Sequence, residues 1–429
     1  MTRGGLGGAE AAALQAVDAA RIISDLQALI AIPSLGGTPA EEEAQGWMAG
    51  ALVGAGAEVG RWPLELEALS RHPDFAVEVE REGVTGVVAD MGRGEGPTLV
   101  LNGHVDVVPP GPPALWSVDP WGGELRDGRV WGRGTADMKG ALACVLAAVR
   151  ALREAGIVLK GRLRVQSVVG EEDGGVGTLA ALLRGYGGDL AVVLEPTRLA
   201  VAPASAGCLN VRLVVPGRGA HGALRHEGVS ALEAFRPLHD ALLELEARRN
   251  LRGSADPRFP GLDHPVPLSL GVVRGGVWAS SVLEELVLEG RYGVLPDESP
   301  EEARRELEAA VARASEADPW LRDHPPRVEW WGGRFRPAGI PPGHPLVVAT
   351  LAAVRDANPG IRLPDPPIQG VPYGSDVGLL SGVGGIPSVV FGPGDVRLAH
   401  AVDESVEVAE LEACARALVL LAIRICGTV

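Results

Sequence analysis

The chain is poor in aromatic residues, in cysteine and in positive charge, and it contains no apolar run long enough to span a bilayer. Aromatics make up only 4% of its 429 residues, nine Trp outnumbering the three Tyr and five Phe together, so a core drawn from its 46% of apolar residues must be mostly Val, Leu and Ala. The four cysteines, Cys144, Cys208, Cys414 and Cys426, show no C-x-x-C spacing, and three of them stand in apolar surroundings that suit packed positions. A disulfide framework is not expected in a large chain of this kind. With 39 Lys and Arg against 55 Asp and Glu, the formal net charge is −16, the opposite of the basic surface that nucleic acid or an anionic membrane requires of a partner. The segment ALVLLAI near Ala417 is too short to cross a membrane, and Glu10 interrupts the stretch where a signal peptide needs continuous apolar residues. The expected location is the cytoplasm. There is no internal repeat, and the 59 Gly and 34 Pro follow no period, which argues for many turns in a globular chain.

A chain of this length exceeds what one small core organises, and two domains are expected. Apolar residues recur at helical spacing over residues 11–32 and 40–55, the second after Thr38 and an acidic run that suits a helix start. Short apolar runs then alternate with helical segments: PTLVLNG before His104, RLRVQSVVG before Glu171, DLAVVL before Glu195, and IPSVVFG after Ile386. This is the pattern of an α/β fold with a mostly parallel sheet. Residues 207–331 read differently, as a strand, a long helix over 229–249 kinked at Pro237, two strands, a helix over 300–314 and a last strand, the split arrangement of a ferredoxin-like α+β unit. The expected architecture is a discontinuous catalytic domain, residues 1–206 and 336–429, with an inserted domain at 207–335.

Three of the apolar runs end on residues that bind metal, and sites in open α/β sheets gather beyond the carboxyl ends of strands, so His104, Glu171 with Glu172, and Glu195 should converge. His104 and Asp106 lie two apart on extended chain and project to one face, which lets Asp106 orient the imidazole. Asp137 stands where a glycine-rich loop enters a helix over 138–155; taken alone it reads as an N-cap. The neighbours Glu171 and Glu172 diverge in any regular structure, so one can ligate while the other reaches a water. Glu195 follows a wholly apolar strand and needs a cation to meet it. His400 completes the set. One histidine, one shared aspartate and one glutamate per ion suit zinc, with two ions about 3.5–4 Å apart, and leave Glu171 as general base.

Together GHVDVVP, GRGTADMKG, GEED, LEPT, GAHG, YGSD, GIPSVVFGPG and AHAVDE resemble the acetylornithine deacetylase / succinyl-diaminopimelate desuccinylase / aminoacylase family of metallopeptidases over nearly the whole chain. The resemblance implies one metal on His104 and Glu195, a second on Glu172 and His400, and Asp137 shared by both, the ions being Zn2+ with Co2+ or Mn2+ as alternatives. It implies Glu171 as base, Asp106 supporting His104, a cis peptide bond between Asp137 and Met138, and an inserted domain that serves as lid and homodimer surface. His221 matches a lid histidine that steadies the oxyanion, and Gly374 and Ser375 of YGSD are expected to meet substrate.

This chain departs from the pattern in three places. Ser280 and Ser281 begin the tetrad that replaces a lid Asn-x-Val-Pro, Gly293 stands where an arginine is usual, and Gly170 replaces an acid before the glutamate pair. Arg291, two residues before Gly293 on the same strand face, is the candidate to replace that arginine as the cation for a substrate carboxylate, the alternative being a pair with a surface acid. The expected activity is removal of an acyl group from an N-acyl amino acid, with a dipeptidase or carboxypeptidase as the alternative and a non-catalytic binding protein as a third.

Overall fold

The computed structural model describes residues 6–429 as an α/β fold with a mainly parallel central sheet. Its six strands run in the spatial order Glu58–Pro63, Thr85–Met91, Arg162–Val168, Thr98–His104, Leu190–Val193 and Ser388–Val390. The four strands read from the apolar runs are the four that pair in parallel. The other two, which the sequence reading did not mark, add an antiparallel edge. Alternate residues of the parallel strands serve two helical layers, as the two-residue period requires. Leu99, Leu101 and Val192 pack with helices Gly140–Glu154 and Val408–Cys426, whereas Val100, Ala191 and Val193 pack with Val377 and Leu380 of helix Val377–Gly382. Both faces being covered, the strands read as unbroken apolar runs.

Two helical segments differ from what the periodicity suggested. The segment 11–32 is not one helix but two, Gly8–Gln15 and Ala19–Ile30, because the Asp18 carboxylate accepts from the backbone N–H of Ala20 and Arg21 and caps the second. The helix expected from Met138 starts at Gly140. Asp137 is therefore not its N-cap, and its side chain is left for other partners; the Asp137–Met138 bond is cis.

A separate four-stranded antiparallel sheet runs from Gly207 to Phe335, in the order Leu268–Gly275, Glu285–Val294, Gly207–Pro216, Arg327–Phe335. Helices Ala231–Ser254 and Pro300–Ala317 cover one face, burying Leu209, Val211, Leu213 and Leu288 beneath Leu238, Leu242 and Leu307. The first helix continues through Pro237 as one element of 24 residues. The second opens with a capping box between Ser299 and Glu302. On the uncovered face Cys208, Asn210 and Arg291 look into a cleft against the parallel sheet. All four cysteines are buried and free, and among the described residues no helix is long and apolar enough to cross a membrane.

Candidate metal centre and catalytic cleft

The parallel strands deliver the acidic residues to one end of the sheet. His104 is the last residue of its strand, Glu195 follows Val193 by two, and Glu171 and Glu172 follow Val168 by three and four. His104, Glu171 and Glu195 are buried, and their donor atoms lie within 4.8 Å of one another, as do those of His104, Asp137 and Glu172. Asp137 stands between the two histidines, its Oδ1 3.2 Å from His104 Nε2 and its Oδ2 3.4 Å from His400 Nε2. His400 Nε2 is also 3.0 Å from Glu172 Oε2. Every ligand position named from the sequence is thus in this cluster.

The electrostatics are those of a site with too many acids for its cations. Burial, then the charge of Asp137, pushes the Glu195 carboxyl well above its ordinary range; burial, then Glu195, does the same to Glu171. Glu172 is raised by burial and by Asp137. Burial disfavours the charged form of Asp137 as well, but the hydrogen bonds from both histidines win and its pKa is lowered. Burial likewise opposes protonation of His104, and is outweighed by its bond to Asp137 and the charges of Asp106, Glu195 and Glu171; His400 is raised to about 11 by its bonds to Asp137 and Glu172. Glu195 Oε1 is buried without a hydrogen-bond partner. A buried carboxylate left so costs several kcal/mol unless a cation meets it, on the order of the penalty per buried ion. Nitrogen and carboxylate donors around a shared aspartate fit divalent metal ions.

Asp106 works differently from the expectation. His104 Nδ1 donates to the Asp106 backbone carbonyl at 2.9 Å, while the Asp106 carboxylate Oδ1 stands 3.7 Å away. Its Oδ2 accepts instead from the Glu172 backbone N–H at 3.1 Å. One residue thereby fixes the imidazole through its main chain and the glutamate loop through its side chain.

Sequence reasoning missed two supports. The buried Glu404 accepts from the backbone N–H of Ala136 and Asp137 through one oxygen, at 2.8 and 3.0 Å, and pairs with Arg133 through the other at 2.5 Å. It lies four residues after His400, within AHAVDE, and its place in that motif was the available signal. The second support is Arg81, which pairs with Asp173 at 2.7 Å and Glu41 at 3.0 Å in a buried triad, while Asp173 Oδ2 takes the N–H groups of Glu78 and Val79. The triad accounts for Gly170: its φ is +67°, and a Cβ there would stand 2.9 Å from the Arg81 guanidinium carbon. The acid that serves this arginine comes from Asp173, three residues on.

The cleft is a cavity of about 350 Å³ above the cluster, walled by Arg291, Phe335, Tyr373 and Gly374 among others. Arg291 Nη2 donates to the Pro372 carbonyl at 3.2 Å, and its Nε is buried with no partner. Gly293 has no room for a side chain, since a Cβ would fall 2.7 Å from Val266 Cα. Ser375 is buried beside the cleft without lining it. His221 and Ser280 are exposed and line no part of this cavity; His221 Nδ1 accepts from the Ala223 N–H at 3.2 Å, and the Ser280 carbonyl accepts from Gly222 at 2.6 Å.

A family model described as peptidase family M20/M25/M40 matches residues 100–424. The N-formyl-4-amino-5-aminomethyl-2-methylpyrimidine deformylase of Bacillus subtilis (strain 168) is 31% identical over 387 residues, 86% of this chain and 86% of that protein. The succinyl-diaminopimelate desuccinylase of Leptothrix cholodnii is 32% identical over 332 residues, 75% of this chain and 80% of that one. Among solved structures, a tripeptidase from Staphylococcus aureus aligns with a TM-score of 0.71 at 20% identity, covering 96% of this chain and 99% of its own. A di-peptidase from Saccharomyces cerevisiae gives 0.71 at 14% identity, covering 96% and 98%. These two likenesses concern the fold alone.

Proposed function

Because the chain belongs to peptidase family M20/M25/M40, a family of metal-dependent hydrolases, we propose that it removes the acyl group from an N-acyl amino acid at a centre of two divalent cations. The observation that carries this reading is Asp137 placed between His104 and His400. His104 and Glu195 would hold one ion, Glu172 and His400 the other, and Asp137 both. Zinc suits this donor set, with Co2+ or Mn2+ as substitutes. Bound there, such cations polarise an amide carbonyl and acidify water. Glu171 is the base: it takes the proton of the attacking water and gives it to the leaving amine, and its raised pKa suits a carboxyl that must hold that proton in transit. Glu404 and the Asp106 main chain keep Asp137 and His104 in place.

The two curated relatives named above are, by name, a deformylase and a desuccinylase, which supports deacylation over dipeptide cleavage. Arg291 supports a substrate carboxylate, since its unpartnered Nε stands in the wall of the cleft and a guanidinium fork suits a carboxylate. A second reading, an N-formyl aminopyrimidine with no carboxylate, is favoured by the flat walls of Phe335 and Tyr373. We place residues 207–335 as a lid that closes on substrate and pairs with a second copy, so that His221 and Ser280 reach a cleft on closure or in a homodimer, and we place the enzyme in the cytoplasm.

The test is metal content together with hydrolysis of N-acetyl, N-succinyl and N-formyl compounds and dipeptides, before and after chelation. Two ions per chain and an activity lost on chelation are expected, with N-acyl amino acids preferred and Arg291→Gln raising their KM about tenfold. A protein that binds no metal and cleaves nothing when zinc is supplied would leave a binding protein on this fold as the better reading.

A further inference from the structure

A second cavity, of about 320 Å³, lies where the antiparallel sheet meets the loop after helix Leu66–Leu69. That loop supplies Phe75, helix Pro300–Ala317 supplies Arg304, and strand Arg327–Phe335 supplies Trp330, Trp331 and Arg334. The register of this strand shifts between Trp331 and Arg334, where Gly332 has φ +63°, so that Trp330 and Arg334 share the face covered by the helices while Trp331 borders the cavity from the other.

Two guanidinium groups meet in this cavity, and among the described residues neither has a carboxylate within salt-bridge distance. Arg304 Nε is buried and makes no hydrogen bond; the Arg304 guanidinium carbon lies 5.4 Å from the centre of the Trp330 ring. Arg334 donates to the Pro73 carbonyl, which takes only part of its capacity. Three of the acids nearby are engaged elsewhere. Asp74 pairs with Arg336, Glu308 accepts the Trp330 indole N–H at 2.8 Å, and Glu78 accepts from the Asn210 side chain and from the Gly333 backbone. Burial and the like charges of Arg304 and Arg336 hold Arg334 below the ordinary arginine range, although Asp74 and, less strongly, Glu301 act against this. Like charges placed together in a half-buried pocket are costly unless an anion joins them. Asn210 forms a wall common to this cavity and the catalytic cleft.

We propose that this cavity is a binding site for a small aromatic carboxylate, separate from the metal centre, with the carboxylate between Arg304 and Arg334 and the ring against Trp330 and Phe75. Two planar forks suit a carboxylate, and the aromatic walls give a ring an advantage that an inorganic anion does not have. The inference does not rest on the hydrolytic reading, and it is tested on the full-length protein without metal or turnover. Calorimetric titration of the chelated protein with benzoate, cyclohexanecarboxylate and inorganic phosphate should show saturable binding, tightest for benzoate. Arg304→Gln and Arg334→Gln should each weaken it about tenfold or more, equivalent to about 1.4 kcal/mol, with circular dichroism unchanged, whereas Arg291→Gln in the catalytic cleft should leave it intact. Should Arg334→Gln unfold, Arg304→Gln on the helix surface decides the matter. The proposal is overturned by phosphate binding as tightly as benzoate, by loss of binding in Arg291→Gln alone, or by no saturable heat below about 10 mM, a weaker interaction than a built site should give.

Discussion

His104 and His400 reach the same aspartate from two unlike regions. His104 ends a central strand, its ring wholly enclosed and its Nδ1 fixed by the Asp106 carbonyl. His400 sits on a loop after the last strand of that sheet, at φ +59°, with 54% of its side chain exposed. The sheet dictates one position, because a shift would break its ladder to both neighbouring strands. The other is held by Asp137 and Glu172 themselves, and by Glu404 four residues on. A paired centre built this way should have one tightly organised half and one half that follows the metal.

The largest effect that would break this comparison is expected from the histidines. His104→Ala should remove both ions and reduce the rate to background, since it would hold one ion with Glu195 and also anchors Asp137, the ligand shared by both, whereas His400→Ala should keep about one ion per chain. Metal analysis by mass spectrometry measures this, and equal losses in the two variants would end the asymmetry. Next comes Glu171→Gln, which should lower kcat about 10²–10⁴-fold with both ions retained; an unchanged rate would remove Glu171 from the mechanism. Glu404→Gln should weaken metal binding about 10–100-fold, read by chelator competition, and the second ion should leave first.

The smallest effect concerns pH. Burial first of all pushes Glu404, Asp376 and Glu41 up to about 7 in the metal-free chain, and His400 is raised to about 11. Unfolded, such acids titrate near 4 and histidine near 6.5, so between about pH 5 and 8 the folded chain carries more protons than the unfolded one, and stability rises as pH falls. Below that window the lowered pKa of Asp137 pulls the other way. The chelated protein should therefore melt a few degrees higher at pH 6 than at pH 8, and added metal should reverse the order, because cations displace those protons and leave in acid. Melting curves that ignore pH with and without metal would contradict the buried, acid-rich centre.

The part of this organisation that follows local rules was legible in the sequence. Apolar runs ending in His, Glu-Glu and Glu mark parallel strands and place their last residues at one end of a sheet, and the strand and helix order of 207–335 is the order observed. What was not legible depends on partners distant in the chain. Asp137 looks like a helix cap until Glu404 takes its backbone N–H from 267 residues away. Asp106 looks like a carboxylate behind a histidine until Glu172 is there to claim it. Gly170 looks like a lost acid until Arg81 occupies the space. The split of the first long helix was local, and Asp18 was the signal.

The position of His400 also orders events during synthesis. The residues from His104 to Glu195 leave the ribosome first, and His400 follows Glu195 by 205 residues, roughly 10–40 s at about 5–20 residues per second. For that interval the nascent chain carries its acids around a single imidazole, with the antiparallel sheet still to be made. A metal ion captured early would be held by an incomplete set of donors, and the chain has time to exchange it before the final loop arrives.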